Sequence, residues 1–136
     1  MRRQVVAVLG ATGSVGVNTL DVIARHPERF EIFALTAMRR ADMLEQQCQR
    51  WKPRYAVLGD AKAANALQQR LRAQGVATEV MSGSRALTEI ASHADVTTVM
   101  AAIVGAAGLE ACVAAARAGK RLLLANKEAR VVGGRL

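Results

Sequence analysis

The residues whose types and spacing could do chemistry gather at three places along this 136-residue chain. The first is Leu9-Gly10-Ala11-Thr12-Gly13-Ser14-Val15-Gly16, in which glycines recur at every third position. They follow the apolar run Val5–Leu9 and open a helical pattern in which Gly16, Leu20 and Ile23 share one face. Glycines in that setting serve a tight turn, a close approach of backbone to a pyrophosphate, and close packing of helix on strand. The unpaired N–H groups of the helix start, reinforced by the helix dipole, then bind phosphate oxygens. Gly10, Gly13 and Gly16 are thus candidate dinucleotide-binding residues. At Gly13 a side chain is expected either to fill the ligand's space or to demand a backbone conformation closed to branched residues. The spacing is G-x-x-G-x-x-G rather than the commoner G-x-G-x-x-G, which leaves a glycine-rich turn without a ligand as the alternative.

The second place is Leu35-Thr36-Ala37-Met38-Arg39-Arg40, at the end of what reads as the second strand. A site for NAD usually has a carboxylate there, about 20 residues beyond the glycines, to hold the ribose hydroxyls. This chain has two guanidiniums instead, and arginine matches the geometry of a 2′-phosphate. NADP is therefore favoured over NAD, with a solvated arginine loop as the alternative. The third place is Ala125-Asn126-Lys127-Glu128, at the carboxyl end of the last apolar strand, where open parallel sheets bind ligands. Asn126 can donate and accept, Lys127 can hold a phosphate or polarise an oxygen, and Glu128 can accept hydrogen bonds. The same three residues also make an ordinary surface turn.

The elements that must position these groups alternate. Val5–Leu9 is a buried strand, and the helix after the glycines ends near Arg25–His26, ahead of Pro27. Phe30–Thr36 is a strand. Asp42 and Glu45 resemble a capping pair for a helix carrying Leu44, Cys48 and Trp51 up to Pro53. Tyr55–Leu58 is a short strand, and Gly59-Asp60 starts a helix with Ala64, Leu67 and Leu71 inward and Gly75 as its stop. Val76–Val80 is a weak strand suited to an edge, and Ser84 can cap a short helix carrying Leu87 and Ile90. Val96–Val104 is β-prone; Leu109, Cys112, Val113 and Ala116 form an inward helical stripe ending at Gly119; Arg121–Ala125 is a further strand. Strands alternating with helices imply right-handed crossovers, hence an α/β chain with a Rossmann-like open parallel sheet and helices on both faces. One domain, 1–136, accommodates the whole length.

Composition narrows the function classes. Hydrophobic residues are 51% and charged residues 22%, which excludes a disordered or low-complexity chain. No apolar run reaches the ~18 residues of a membrane span, and the five-residue apolar run before the glycines is too short for a secretory signal, so none is expected. Cys48 and Cys112 lack zinc-type spacing and read as reduced core thiols of a cytoplasmic protein. The net charge of +8 invites nucleic acid, but the cations are scattered and aromatics are 3%, too few for a stacking platform. A positive surface still draws phosphorylated small molecules.

The segments "LGATGSVGVNTLDVIARHPERFEIFALTA" and "VMAAIVGAAGLEACVAAARAGKRLLLANKE" closely resemble the amino-terminal part of the 1-deoxy-D-xylulose 5-phosphate reductoisomerase family, over essentially the whole chain. The first motif is shared with other reductases, whereas the second, ending in Ala-Asn-Lys-Glu, is much more specific. The resemblance implies conversion of 1-deoxy-D-xylulose 5-phosphate to 2-C-methyl-D-erythritol 4-phosphate, with NADPH and a divalent metal (Mn2+ or Mg2+), in the non-mevalonate route to isoprenoids. It implies that Thr12, Gly13, Ser14 and Val15 contact the cofactor phosphates, and that Arg39 and Arg40 lie about the 2′-phosphate. Asn126 and Glu128 match cofactor contacts, and Lys127 matches a substrate-binding lysine. The sequence departs from the family at Met38, where Gly is usual, and at Arg130, where an apolar residue is usual. Family metal ligands and catalytic flap would lie downstream, so the chain is expected to be a fragment holding the cofactor half. It would have no metal site or catalytic residue of its own, would be inactive alone, and would derive from a cytoplasmic homodimer. The competing readings are another NADP-dependent reductase such as a semialdehyde dehydrogenase, whose nucleophilic Cys would have to be the poorly placed Cys112, or a stand-alone nucleotide-binding domain.

Overall fold

The computed structural model describes residues 3–102, 106–125 and 131–132. Seven strands form one sheet in the order β4-β3-β2-β1-β5-β6-β7. The strands are β1 (Gln4–Leu9), β2 (Phe30–Ala37), β3 (Tyr55–Leu58), β4 (Glu79–Ser82), β5 (Thr98–Ala101), β6 (Arg121–Ala125) and β7 (Val131–Val132). The helices between them are α1 (Ser14–Ala24), α2 (Ala41–Trp51), α3 (Ala61–Ala73), α4 (Gly83–Ala91) and α5 (Ala106–Arg117). The first six strands pair in parallel, as the alternation of strands and helices predicts. The two-residue β7, which the sequence pattern does not announce, pairs antiparallel with β6.

The layers follow from near-continuous apolar strands that bury side chains on both faces. On one face Val6, Val8, Leu35, Leu58 and Met100 pack under α1, α2 and α3 through Leu20, Ile23, Leu44, Cys48, Leu67 and Leu71. On the other, Ala7, Leu9, Val57, Val99 and Leu122 pack under α4 and α5 through Leu87, Ile90, Ala111 and Ala115. Between Val6 and Ala7 the β1–β2 register slips by one residue. This bulge lets Phe33 and Ala34 both face the second layer, where Phe33 packs against Tyr55 and His93.

Element ends test the expectations locally. The helix read to start at Gly59-Asp60 does so, with Asp60 accepting the Ala63 N–H at 2.9 Å as its cap, and Gly75 closes it at φ +76 as read. The strand placed at Val76–Val80 lies instead at Glu79–Ser82, still on the sheet edge, because Val76 returns its N–H to Leu71 and Glu79 is the first residue to pair with Tyr55. Two caps are corrected. Arg40, not Asp42, is the N-cap of α2, and Glu45 turns away to bind Arg70 on α3 and Gln74 at its C-cap. Ser84 lies inside α4, whose N-cap is Ser82 with no side-chain bond.

The largest correction concerns α5. Among the described residues of α5, Gly108, Ala111 and Ala115 are buried, whereas Leu109 and Val113 are 68% and 42% exposed. Of the expected inward stripe, Cys112 is half-buried and Ala116 exposed. Small residues let the helix lie close on the sheet, and the large apolar ones are left on its outer side.

Candidate functional site

β1 and β5 lie side by side while their connections run to opposite faces, so the carboxyl ends of these two strands flank the switch point of the sheet. The glycine turn leaves β1 there. Gly10 adopts φ +85, a left-handed conformation that favours glycine and reverses the chain directly after Leu9. The Gly10 and Ala11 N–H groups both donate to the Thr36 carbonyl, at 3.1 and 2.7 Å, and Gly10 N–H also reaches Thr36 Oγ1 at 3.2 Å. From α2, Gln47 Nε2 donates to the Ala11 carbonyl at 2.8 Å. The turn is therefore clamped by the end of β2 and by one side chain of α2.

The other two glycines play different parts. A Cβ on Gly16 would stand 2.0 Å from the Gly10 carbonyl oxygen and 2.8 Å from Ala11 backbone atoms, so this glycine is where α1 crosses the turn at contact distance. Gly13 has φ −73 and ψ 167, an extended conformation open to any residue, and a Cβ there would meet nothing within 4 Å. The expectation of a closed backbone conformation at Gly13 is thus overturned, and open space in front of it is what the structure supplies. Gly13 is the N-cap of α1 without a side-chain cap, and the first turn has no acidic residue. The first intrahelical bond is Val17 N–H to the Gly13 carbonyl at 2.9 Å. Among the described residues, Thr12 and Gly13 donate no backbone hydrogen bond. A row of uncapped donors at the positive end of a helix, with Gly13 and Ser14 exposed and Thr12 and Val15 half-buried, is complementary to a phosphate.

Arg39 and Arg40 follow β2 on the same carboxyl side, both exposed. Arg40 has φ 65 and ψ 54, and its Nε lies 3.5 Å from Asp42 Oδ1. The Met43 backbone N–H, and then Arg40, hold the Asp42 carboxyl below its ordinary range. Met38 is half-exposed, with its side chain and carbonyl over Gly59, where a Cβ would strike the Met38 oxygen at 2.8 Å. The ends of β2 and β3 therefore meet without a glycine at 38. Asn126, Lys127, Glu128 and Arg130 lie outside the described residues; the first three directly follow Ala125, the last residue of β6.

Sequence reasoning missed Thr36 and Gln47. Gln47 stands three residues after Leu44 and beside Cys48, a polar residue on the buried stripe of α2, and that was the available signal. The two thiols are not nucleophiles in waiting: burial, and secondarily Glu45, push Cys48 up to about 12, and burial raises Cys112. Among the described residues no group of three His, Cys, Asp or Glu could hold a metal ion, and no helix is long and apolar enough to cross a membrane.

Comparison with known proteins agrees with the geometry. The family model for 1-deoxy-D-xylulose 5-phosphate reductoisomerase matches residues 6–134. The reductoisomerase of Aromatoleum aromaticum is 62% identical over 135 residues, covering 99% of this chain and 34% of that protein. That of Cellvibrio japonicus is 56% identical over 135 residues, again 99% of this chain and 34% of the relative. A crystal structure of DOX-P reductoisomerase with NADPH, fosmidomycin and magnesium superposes with a TM-score of 0.85 at 47% identity, over 93% of this chain and 31% of that one. The Zymomonas mobilis enzyme with NADPH gives 0.83 at 42% identity, over 93% of this chain and 33% of its own. This chain therefore spans about a third of the length of the relatives it matches. A semialdehyde dehydrogenase is set aside, and a match over residues 6–134 makes the chain a member of the 1-deoxy-D-xylulose 5-phosphate reductoisomerase family.

Proposed function

We propose that this chain is the NADPH-binding domain, residues 1–136, of a 1-deoxy-D-xylulose 5-phosphate reductoisomerase. The observation that carries the reading is the uncapped, acid-free start of α1 facing open space at Gly13, directly beyond a turn clamped at the sheet's switch point. Backbone N–H groups of Thr12, Gly13, Ser14 and Val15 hold the pyrophosphate, and Gly10 and Gly16 give the turn the shape that brings those donors together. Arg39 and Arg40 take the 2′-phosphate, where an NAD site would have a carboxylate. Asn126 and Glu128 contact the cofactor, and Lys127 holds the phosphorylated substrate, by their match to the family motif. NADPH, when bound, supplies the hydride; the chain's own residues bind and orient it.

The parent activity is the rearrangement and reduction of 1-deoxy-D-xylulose 5-phosphate to 2-C-methyl-D-erythritol 4-phosphate by a cytoplasmic homodimer. A hard divalent cation needs several oxygen ligands, and the described residues offer no such cluster. The test is calorimetry of the chain with NADPH and with NADH. NADPH should bind more tightly, and replacing Arg39 and Arg40 together by Ala should cost about 1–3 kcal/mol of NADPH binding while sparing NADH. Equal affinities in the unaltered chain would refute it.

A further inference from the structure

Gln47 does more for the site than for the fold. Its Nε2 donates to the Ala11 carbonyl at 2.8 Å, and because a carbonyl only accepts, the orientation of the amide is fixed by that bond. Its Oε1 is then buried and finds no donor among the described residues. An acceptor buried without a partner costs at least as much as one neutral hydrogen bond returns. Gln47 is thus a poor choice for stability at a half-buried position beside the apolar stripe of α2, where Leu44 and Cys48 are fully buried.

What the bond does accomplish follows from peptide geometry. The Ala11 carbonyl and the Thr12 N–H belong to one planar peptide, and no described peptide bond is cis, so the two groups point in opposite directions. Holding the carbonyl toward α2 turns the Thr12 N–H away from α2. Thr36 already fixes the preceding N–H groups, of Gly10 and Ala11, from the end of β2. Beyond those two N–H groups, and ahead of the Gly13 carbonyl that accepts from Val17, the Ala11–Thr12 peptide is the next unit free to rotate, and Gln47 fixes it. We propose that Gln47 is a positioning residue of the phosphate turn: it sets the direction of the Thr12 N–H and so pre-organises the donor row. This rests on the reading that the turn holds the NADPH pyrophosphate.

The proposal separates from a structural role by what moves and what does not. In Gln47→Leu the affinities for NADPH and NADH should fall together, by about tenfold, the loss of one oriented charge-assisted bond. Their ratio should stay as in the parent, because Arg39 and Arg40 are untouched. The melting temperature should hold or rise, since the orphaned oxygen goes too. The Thr12 amide proton, shifted downfield by nucleotide in the parent, should lose that shift. In Gln47→Glu, which keeps the side-chain size but turns an anionic oxygen toward the carbonyl, the binding loss should be larger than in the leucine variant. A parent that binds with a leucine variant of equal affinity and equal Thr12 shift overturns the inference alone. So does a binding loss in both variants that only follows a fall in melting temperature. A parent that binds neither nucleotide overturns the reading of the site, and the inference with it.

Discussion

Gly16→Ala should be among the most damaging single-methyl changes available in this chain, although it exchanges a poor helix former for the best one. The Cβ would stand 2.0 Å from the Gly10 oxygen and 2.8 Å from the Ala11 carbonyl carbon and Cα. Carbon and oxygen pack no closer than about 3.3 Å, so the start of α1 would have to retreat by about 1.3 Å from the turn. All three obstructing atoms are backbone, and the turn cannot yield, because Thr36 holds the Gly10 and Ala11 N–H groups and Gln47 holds the Ala11 carbonyl. Retreat of α1 would open the layer in which Leu20 and Ile23 meet Val6 and Val8. Overpacking of this kind costs about 1–3 kcal/mol and more where the surroundings are rigid; the helix-propensity gain of Ala over Gly returns about 1. With backbone on both sides of the clash the upper end of that cost applies, so a net loss of about 2 kcal/mol is expected, a sizeable part of a typical domain stability of about 5–15. Gly13→Ala is the control, with φ −73 and nothing within 4 Å. It should lose about 0.5–1 kcal/mol in urea unfolding, the cost of a poorer N-cap, while obstructing the phosphate. Gly16→Ala matching the parent's stability, or Gly13→Ala falling as far as Gly16→Ala, would refute the division between a packing glycine and a ligand glycine.

Three further outcomes follow from particular contacts. Glu45 uses both carboxylate oxygens, one for Arg70 Nε at 2.6 Å and one for Gln74 Nε2 at 2.8 Å. Gln74 first and Arg70 second hold its pKa below the ordinary 4.5, so its contribution is present above that value and disappears as pH falls through the native pKa. Glu45→Gln should lower stability by about 1 kcal/mol at pH 7 and by nothing in acid well below 4.5; an equal deficit at both pH values would contradict this. Lys52 caps α2 at φ 46, and Lys52→Gly should relieve about 1 kcal/mol of left-handed strain against about half that in chain entropy, raising the melting temperature by a degree or two. On α5, Leu109→Gln and Val113→Thr should each change stability by less than about 0.5 kcal/mol, whereas Ala111→Leu should cost about 1–3 by forcing the helix off the sheet. The opposite ranking by thermal unfolding would restore the stripe expected from sequence.

That last contrast shows where the sequence was legible. Apolar runs marked β1, β2, β3, β5 and β6, because there both faces of the sheet are buried and the signal does not depend on a period, whereas the half-exposed edge strand β4 was displaced. On α1 and α3 the inward residues Leu20, Ile23, Leu67 and Leu71 are also the largest, so size and burial point the same way. On α5 they point opposite ways. Ala111 and Ala115 recur with the same helical spacing as Leu109 and Val113, and only the close seat of the helix on β5 and β6 decides which stripe faces inward. Capping was legible only where one residue had no competing partner. The helix start read at Gly59-Asp60 is where Asp60 caps α3, but Glu45, the second half of the pair read at Asp42, is taken by Arg70 and Gln74 across the helix interface, 25 and 29 residues away in sequence.

The candidate site divides in the same way. The glycine turn was legible because a left-handed φ at Gly10 favours glycine and a contact-distance crossing at Gly16 leaves no room for a Cβ, and both leave a mark on the sequence. The residues that hold the turn leave no such mark. Thr36 acts largely through its backbone carbonyl, which any residue at that strand position possesses, and only its Oγ1 bond to Gly10 is specific to the side chain. Gln47 acts through a side-chain amide 36 positions from its target, in a helix whose pattern explains its neighbours without it. Positions that must be glycine can be read from spacing; positions that aim a peptide group are found only when the carbonyl they hold has a place in space. At this turn the two kinds are joined in one peptide unit: Gly10 lets the chain reverse, and Gln47 decides which way the next N–H looks.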